Sequence, residues 1–270
     1  MSEMHIPQTQ FAELTWRGDP LKLEYQWVGV KQSDYPVVVF LHEGLGSIAL
    51  WKDFPERMCR EYGLTGLVFS RYGYGQSTPR SHDERWQTTF MHEQAREVLP
   101  VFFASLGLER PWLFGHSDGG SITLLYAASS PQSVAGIVVV APHILVEDVT
   151  IENIRKAREA YVSSDFAVKL KRYHADPESA FWGWNNVWLD PAFRAWNIED
   201  VLPDIVCPVL AIQGESDEYG TLAQVQGIVR KVPQAHLTVM PNCGHSPHRE
   251  QPEQVAQLAA DFITRPHRSA

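Results

Sequence analysis

The chain has 270 residues, 44% of them hydrophobic and 20% charged, which excludes a disordered chain and suits one large α/β domain. Its formal net charge of −9 argues against a nucleic-acid partner, since the longest basic cluster, 169–174 (KLKRYH), reads as a solvated helix face. No apolar run reaches the length of a membrane span, the first residues lack the regions of a secretory signal, and three cysteines without a C-x-x-C pair predict a reducing, cytoplasmic setting.

In chain order, residues 20–29 (PLKLEYQWVG) alternate apolar and polar side chains, as a strand exposed on one face does. The runs 37–42, 66–70, 111–116, 134–142 and 208–214 are nearly continuously apolar, the pattern of parallel strands buried on both faces. A last run at 236–242 fits an edge strand. Helical patterns fall near 49–62, 88–106, 118–130, 221–231 and 252–264. Strand–helix alternation of this kind predicts right-handed crossovers and a mostly parallel sheet.

The alternation stops between 143 and 202. That stretch is first polar and helix-prone, then aromatic, with Trp182, Trp184, Trp188 and Trp196 close together. It predicts a helical cap over a core formed by 1–142 and 203–270. The tryptophans either glue cap to core or line a pocket; Trp182, Trp184 and Trp188 are the pocket candidates.

The strongest chemical signal is Gly115-His116-Ser117-Asp118-Gly119, between a buried strand and a helix. This is a G-x-S-x-G elbow in the strand–turn–helix context its mechanics require, with Ser117 lifted above the sheet at a helix N-terminus. A serine nucleophile needs a base, and the base needs an orienting acid. In this architecture the acid follows the serine and the histidine comes last. Glu215, Asp217 and Glu218 follow one strand, and His245 follows the last, with His248 as a competing base. The eleven histidines show no H-x-x-x-H or H-E-x-x-H spacing, so no metal site is predicted.

With its elbow, its G-E-x-D turn at 214–217 and its G-H-x-P turn at 244–247, the chain resembles the α/β-hydrolase superfamily, in its cap-bearing serine-hydrolase branch. The resemblance runs from about residue 20 to 265 and implies about eight strands flanked by helices. It implies Ser117 as nucleophile, Asp217 as orienting acid and His245 as general base. It also implies oxyanion donors at the Asp118 and Gly44 amides, Gly44 lying two positions after His42, whose side chain would tie the loop together. The activity implied is hydrolysis of a carboxylic ester of a small molecule, without a cofactor. Lactone, amide and C–C bond hydrolysis share the same machinery, and a non-catalytic ligand binder on the same fold is a separate alternative.

Two places depart from the family pattern. Glu43 stands where glycine is expected, and in 68–77 (VFSRYGYGQS) Ser70 replaces an aspartate and Tyr72 an arginine. The resemblance makes the third and fourth strands neighbours, so Glu43 is expected to pair with Arg71 at adjacent strand ends; otherwise it reaches the pocket or is solvated. His116 and His248 are expected to be structural and a surface or mouth residue, respectively. Asp118, in an elbow similar to that of valacyclovir-hydrolase-like enzymes, would favour a cationic or hydroxylated substrate at the mouth or simply satisfy the helix dipole.

Overall fold

Eight strands form one sheet in the order β1-β2-β4-β3-β5-β6-β7-β8 in the computed structural model, which describes residues 8–266. The strands are β1 (Gln10–Trp16), β2 (Asp19–Gly29), β3 (Val38–Leu41), β4 (Thr65–Phe69), β5 (Trp112–His116), β6 (Gly136–Val140), β7 (Val209–Gly214) and β8 (Ala235–Met240). β1 and β2 pair antiparallel, β2 runs antiparallel to β4, and every later pairing is parallel. β1 is the strand that periodicity did not reveal. It is a half-exposed edge, held mainly by its ladder to β2.

The five central strands are nearly continuously apolar because successive side chains enter two different cores. Val39, Leu41, Leu113, Ile137 and Val139 face one cluster, while Val38, Phe40, Phe114, Val138 and Val140 face the other. The second cluster is closed by α1 (Phe54–Glu61) and the C-terminal helix α10 (Pro252–Thr264), through Phe54, Met58, Val255 and Phe262. The first is closed by α2 (Phe90–Glu93), a π-helical turn (Gln94–Val98), α3 (Leu99–Ser105) and α4 (Asp118–Ser129).

Between β6 and β7 lie α5 (Asp148–Ser163), α6 (Phe166–Leu170) and α7 (Pro177–Trp188), followed by two short 3-10 turns. Phe181, Trp184, Trp188, Phe193 and Trp196 from this segment belong to the same buried cluster as α4, so the helical layer and the sheet share one apolar core. His174 ties the layer down: its Nδ1 accepts from Gly75 N at 3.0 Å and its Nε2 donates to Leu45 O at 3.1 Å. The remaining helices are α8 (Ala223–Lys231) and the single turn α9 (Pro247–Glu250). Among the described residues no helix is long and apolar enough to cross a membrane.

Candidate active site

β5 ends at His116, and the chain turns through Ser117 at φ 53° and ψ −122° into the N-terminus of α4. That positive φ is sterically unfavourable for serine, and it is permitted by close backbone approaches on either side. A side-chain carbon at Gly119 would lie 2.2 Å from Leu41 O and 2.6 Å from His42 O; one at Gly115 would lie 2.4 Å from Gly119 O. The absent carbons therefore press the start of α4 onto the end of β3.

Ser117, Asp217 and His245 come together from the ends of three strands. His245 Nε2 is 2.9 Å from Ser117 Oγ, and His245 Nδ1 is 2.8 Å from Asp217 Oδ1. An ionised carboxylate only accepts hydrogen bonds, so Nδ1 carries the proton and Nε2 is left to accept from the serine hydroxyl. Asp217 Oδ1 also accepts from Tyr219 N at 2.8 Å, and Gln213 Nε2 donates to Oδ2 at 3.1 Å. Burial alone would raise the Asp217 pKa, but the hydrogen bond and charge of His245 and the Tyr219 amide bring it below the usual aspartate value. The competing acid Glu218 instead accepts from His245 N at 3.1 Å through its carboxylate, bracing the loop from behind.

The first loop is fixed by the carbonyl of Glu43. It accepts from His42 Nδ1 at 2.7 Å, from Arg71 Nη2 at 2.9 Å and from Gly46 N at 3.0 Å. His42 Nε2 in turn accepts from Arg71 N at 3.0 Å, which settles the ring's tautomer. In a trans peptide the carbonyl and the following N–H point opposite ways. With the Glu43 carbonyl held on one side, the Gly44 N–H is turned to the other, and Gly44 lines the same cavity as Ser117. The Asp118 amide opens α4 and has no acceptor within the helix.

Glu43 and Arg71 do not pair through their side chains, contrary to expectation. Arg71 reaches the Glu43 backbone and lies under Tyr74, its guanidinium 4.6 Å from the ring centre. The Glu43 carboxylate turns the other way and accepts from Arg249 Nη2 at 2.7 Å. Burial would raise its pKa, but His116 and Arg249 hold it well below the usual glutamate value. At the other departure, Ser70 Oγ donates to Glu24 and accepts from Ile48 N at 2.9 Å. The carboxylate missing from position 70 is thus supplied by β2.

Two further expectations change. His248 is buried rather than at the mouth, its ring 4.8 Å from that of Trp51 and 4.6 Å from that of His116. Asp118 is not at the mouth either: its side chain is buried and accepts from Trp188 Nε1 at 3.2 Å. Burial pushes its pKa up to about 6. His116 is structural, as expected, and more specifically placed: its Nε2 donates to the backbone carbonyl of His245 at 2.8 Å.

The cavity over Ser117 holds about 160 Å³. Leu45, Ile154, Trp184, Trp188 and Tyr219 give it apolar walls, and Glu43 and Arg249 lie at its edge. Trp184 packs directly on the loop after β3, where a side-chain carbon at Gly44 would meet its Nε1 at 2.1 Å. Trp182 is elsewhere: it lines a larger cleft of about 520 Å³ with Arg80 and Trp86, which none of Ser117, Asp217 or His245 touches. Residues that the sequence reading missed include Arg249, four positions beyond His245, and His143, just past β6. Arg249 could have been found from its one-turn spacing after the histidine; His143 carried no signal. Among the described residues no group of three or more His, Cys, Asp or Glu side chains could hold a metal ion.

A serine at a strand–helix elbow, hydrogen-bonded to a histidine and through it to an aspartate on an eight-stranded mostly parallel sheet, defines the α/β-hydrolase class. The chain belongs to the alpha/beta hydrolase family, whose pattern matches residues 38–258. It is 25% identical over 215 residues to serine hydrolase BPHL of Homo sapiens, covering 74% of this chain and 69% of that protein. It is also 25% identical over 242 residues to monoglyceride lipase of Homo sapiens, covering 80% and 77%. In fold it is similar to the enol-lactonase from Burkholderia xenovorans LB400, with a TM-score of 0.74, 16% identity and coverage of 94% of this chain and 100% of that one.

Proposed function

We propose that the protein is a serine hydrolase that cleaves a carboxylic ester of a small molecule through an acyl-enzyme. The observation that carries this reading is the continuous chain Ser117 Oγ–His245–Asp217, with distances of 2.9 and 2.8 Å. His245 Nε2 takes the serine proton as Oγ attacks the carbonyl carbon. The Gly44 and Asp118 N–H groups stabilise the tetrahedral oxyanion, each donor worth about 3–4 kcal/mol. His245 then gives its proton to the departing alkoxide. Water, activated by the same imidazole, releases the acid. Asp217 keeps the imidazole in the required tautomer and stabilises its charged form.

The cavity of about 160 Å³ is well below the volume that drug-sized ligands occupy, which favours a short acyl group. Relatives named as serine hydrolase and lipase agree with ester chemistry. A fluorophosphonate should label Ser117 stoichiometrically, and short-chain p-nitrophenyl esters should turn over, while Ser117→Ala does neither. Turnover by Ser117→Ala at the wild-type rate, or no labelling of the wild type, rejects the proposal. A panel of esters, lactones, amides and vinylogous diketones ranks the bond types that this machinery accepts.

A further inference from the structure

Glu43 is the one full charge on the oxyanion loop, and the mechanism above makes no use of it. A bare carboxylate there would oppose the negative charge that develops on the substrate oxygen. The structure instead folds it back beneath the loop, where Gly46 leaves room: a side-chain carbon at Gly46 would lie 2.5 Å from Glu43 Oε2.

We propose that Glu43 is a positioning residue, which ties the oxyanion loop to the elements that carry the nucleophile and the general base. The inference rests on the serine-hydrolase reading. One hydrogen-bonded tie and one packing contact lead from this carboxylate toward His245. Through Oε1 it accepts from Arg249 Nη2 at 2.7 Å, and Arg249 lies on α9, the single turn that follows the base. Arg249 Nη2 also donates to Leu50 O at 3.1 Å, so its guanidinium is seated on both residues. Oε2 only packs against the ring of His116, 3.7 Å from Nδ1 and beyond hydrogen-bond distance, while the opposite nitrogen of that ring donates to the His245 carbonyl at 2.8 Å. The Glu43 backbone carbonyl, meanwhile, is held by Arg71 at the end of β4. One residue thus fixes the oxyanion peptide through its main chain and registers it against the base through its side chain.

Arg249 has a second role in this arrangement. Its charge offsets that of Glu43 beside the developing oxyanion. Removing Arg249 leaves a largely buried carboxylate with its principal cation gone, whereas removing the carboxylate's charge leaves only a loosened tie. The two substitutions therefore differ in severity, and their combination should relieve the worse one. A purely structural contact would give no such order.

The test is the second-order rate at which a fluorophosphonate labels Ser117, measured with melting temperature and with affinity for an alkyl boronic acid that mimics the tetrahedral intermediate. Glu43→Gln should label about tenfold more slowly than wild type, and Arg249→Gln about a hundredfold, the range seen when supporting residues around a reactive centre are lost. The double variant should return to the Glu43→Gln rate. Arg249→Lys, which keeps the charge, should stay within about threefold of wild type, so the comparison survives even if Arg249→Gln does not fold. Boronate affinity should fall in parallel, with KM for an ester substrate unchanged. Wild-type labelling rates in Glu43→Gln and Arg249→Gln, or purely additive losses that follow the melting temperature, overturn the proposal. Failure of the wild type to be labelled overturns the hydrolase reading itself and is distinct from either result.

Discussion

Ser117 can keep a φ of 53° only because its neighbours leave it no alternative. Its N–H donates to Val140 O at 2.9 Å, and Gly119 lies against two carbonyl oxygens of the β3 end. Those oxygens are backbone atoms and cannot swing aside, so Gly119→Ala should destabilise the fold by about 2–4 kcal/mol in urea unfolding and cut activity with it. A variant that melts like wild type would mean that β3 and α4 are not held this closely. Asp217→Asn preserves shape but offers an amide where His245 Nδ1–H needs a carboxylate. It should lower kcat by about 10³–10⁴ with little change in KM, read from steady-state ester hydrolysis. Ser117, Asp217 and His245 could be named from sequence because each sits in a short turn with its own local pattern. The Glu43–Arg249 contact could not, because 206 positions separate the two residues and only the placement of α9 brings them together. Arg71 was correctly placed at the neighbouring strand end. Periodicity cannot tell which atom of Glu43 it would meet.

α7 is the element that limits the cavity. It is started by Asp176, whose side chain accepts from Ser179 N at 2.9 Å, with Pro177 at its first position. From its last turn and a half it projects Trp184 onto Gly44 and Trp188 onto Asp118. Trp184→Ala should open the wall facing Ser117 and shift acyl preference. The ratio of kcat/KM for hexanoate over acetate p-nitrophenyl esters should rise by about tenfold, the order expected for a few methylenes newly accommodated. An unchanged ratio would place the acyl group elsewhere in the cavity. Trp182→Ala, on the other cleft, should leave that ratio unaltered. This distinction was not legible in the sequence, which clusters the tryptophans without saying which side of a helix faces the serine. The central strands were legible because burial on both faces leaves an uninterrupted apolar run. β1 was not, since a half-exposed edge strand is specified mostly by its partner. The π-helical turn at Gln94–Val98 left no trace either, as its sequence is an ordinary helical one.

At the scale of the whole molecule, the fold buries five histidines whose pKa values all lie below the ordinary value, and burial lowers the half-buried His92 in the same direction. Burial is the main cause at His42, His116, His143, His174 and His248, with His143 brought to about 3 and His174 to about 4. None of this could be read from composition, because burial of a histidine is a product of tertiary packing. Each such ring is neutral when folded but free to take a proton near pH 6.5 when unfolded, so the unfolded state binds more protons below that pH. The stability these groups contribute is complete above about pH 6.5 and is lost as pH falls toward the folded values. Asp118 acts in the opposite sense. Raised to about 6, it favours the folded state below the unfolded aspartate value and gives that up as pH rises through 6. One aspartate does not offset five histidines, so the net slope is toward acid lability. Between pH 7.5 and pH 5, His143 and His174 alone should remove about 2 kcal/mol each. Urea unfolding at the two pH values should therefore show a loss of at least about 4 kcal/mol from these two rings, less up to about 1.4 kcal/mol per pH unit returned by Asp118. His143→Gln removes one titrating ring and should flatten the slope by about one proton, or about 1.4 kcal/mol per pH unit near pH 5. An equal slope in the variant would mean that His143 is protonated alike in both states, and that its ring is wetter than its burial beside Trp188 implies.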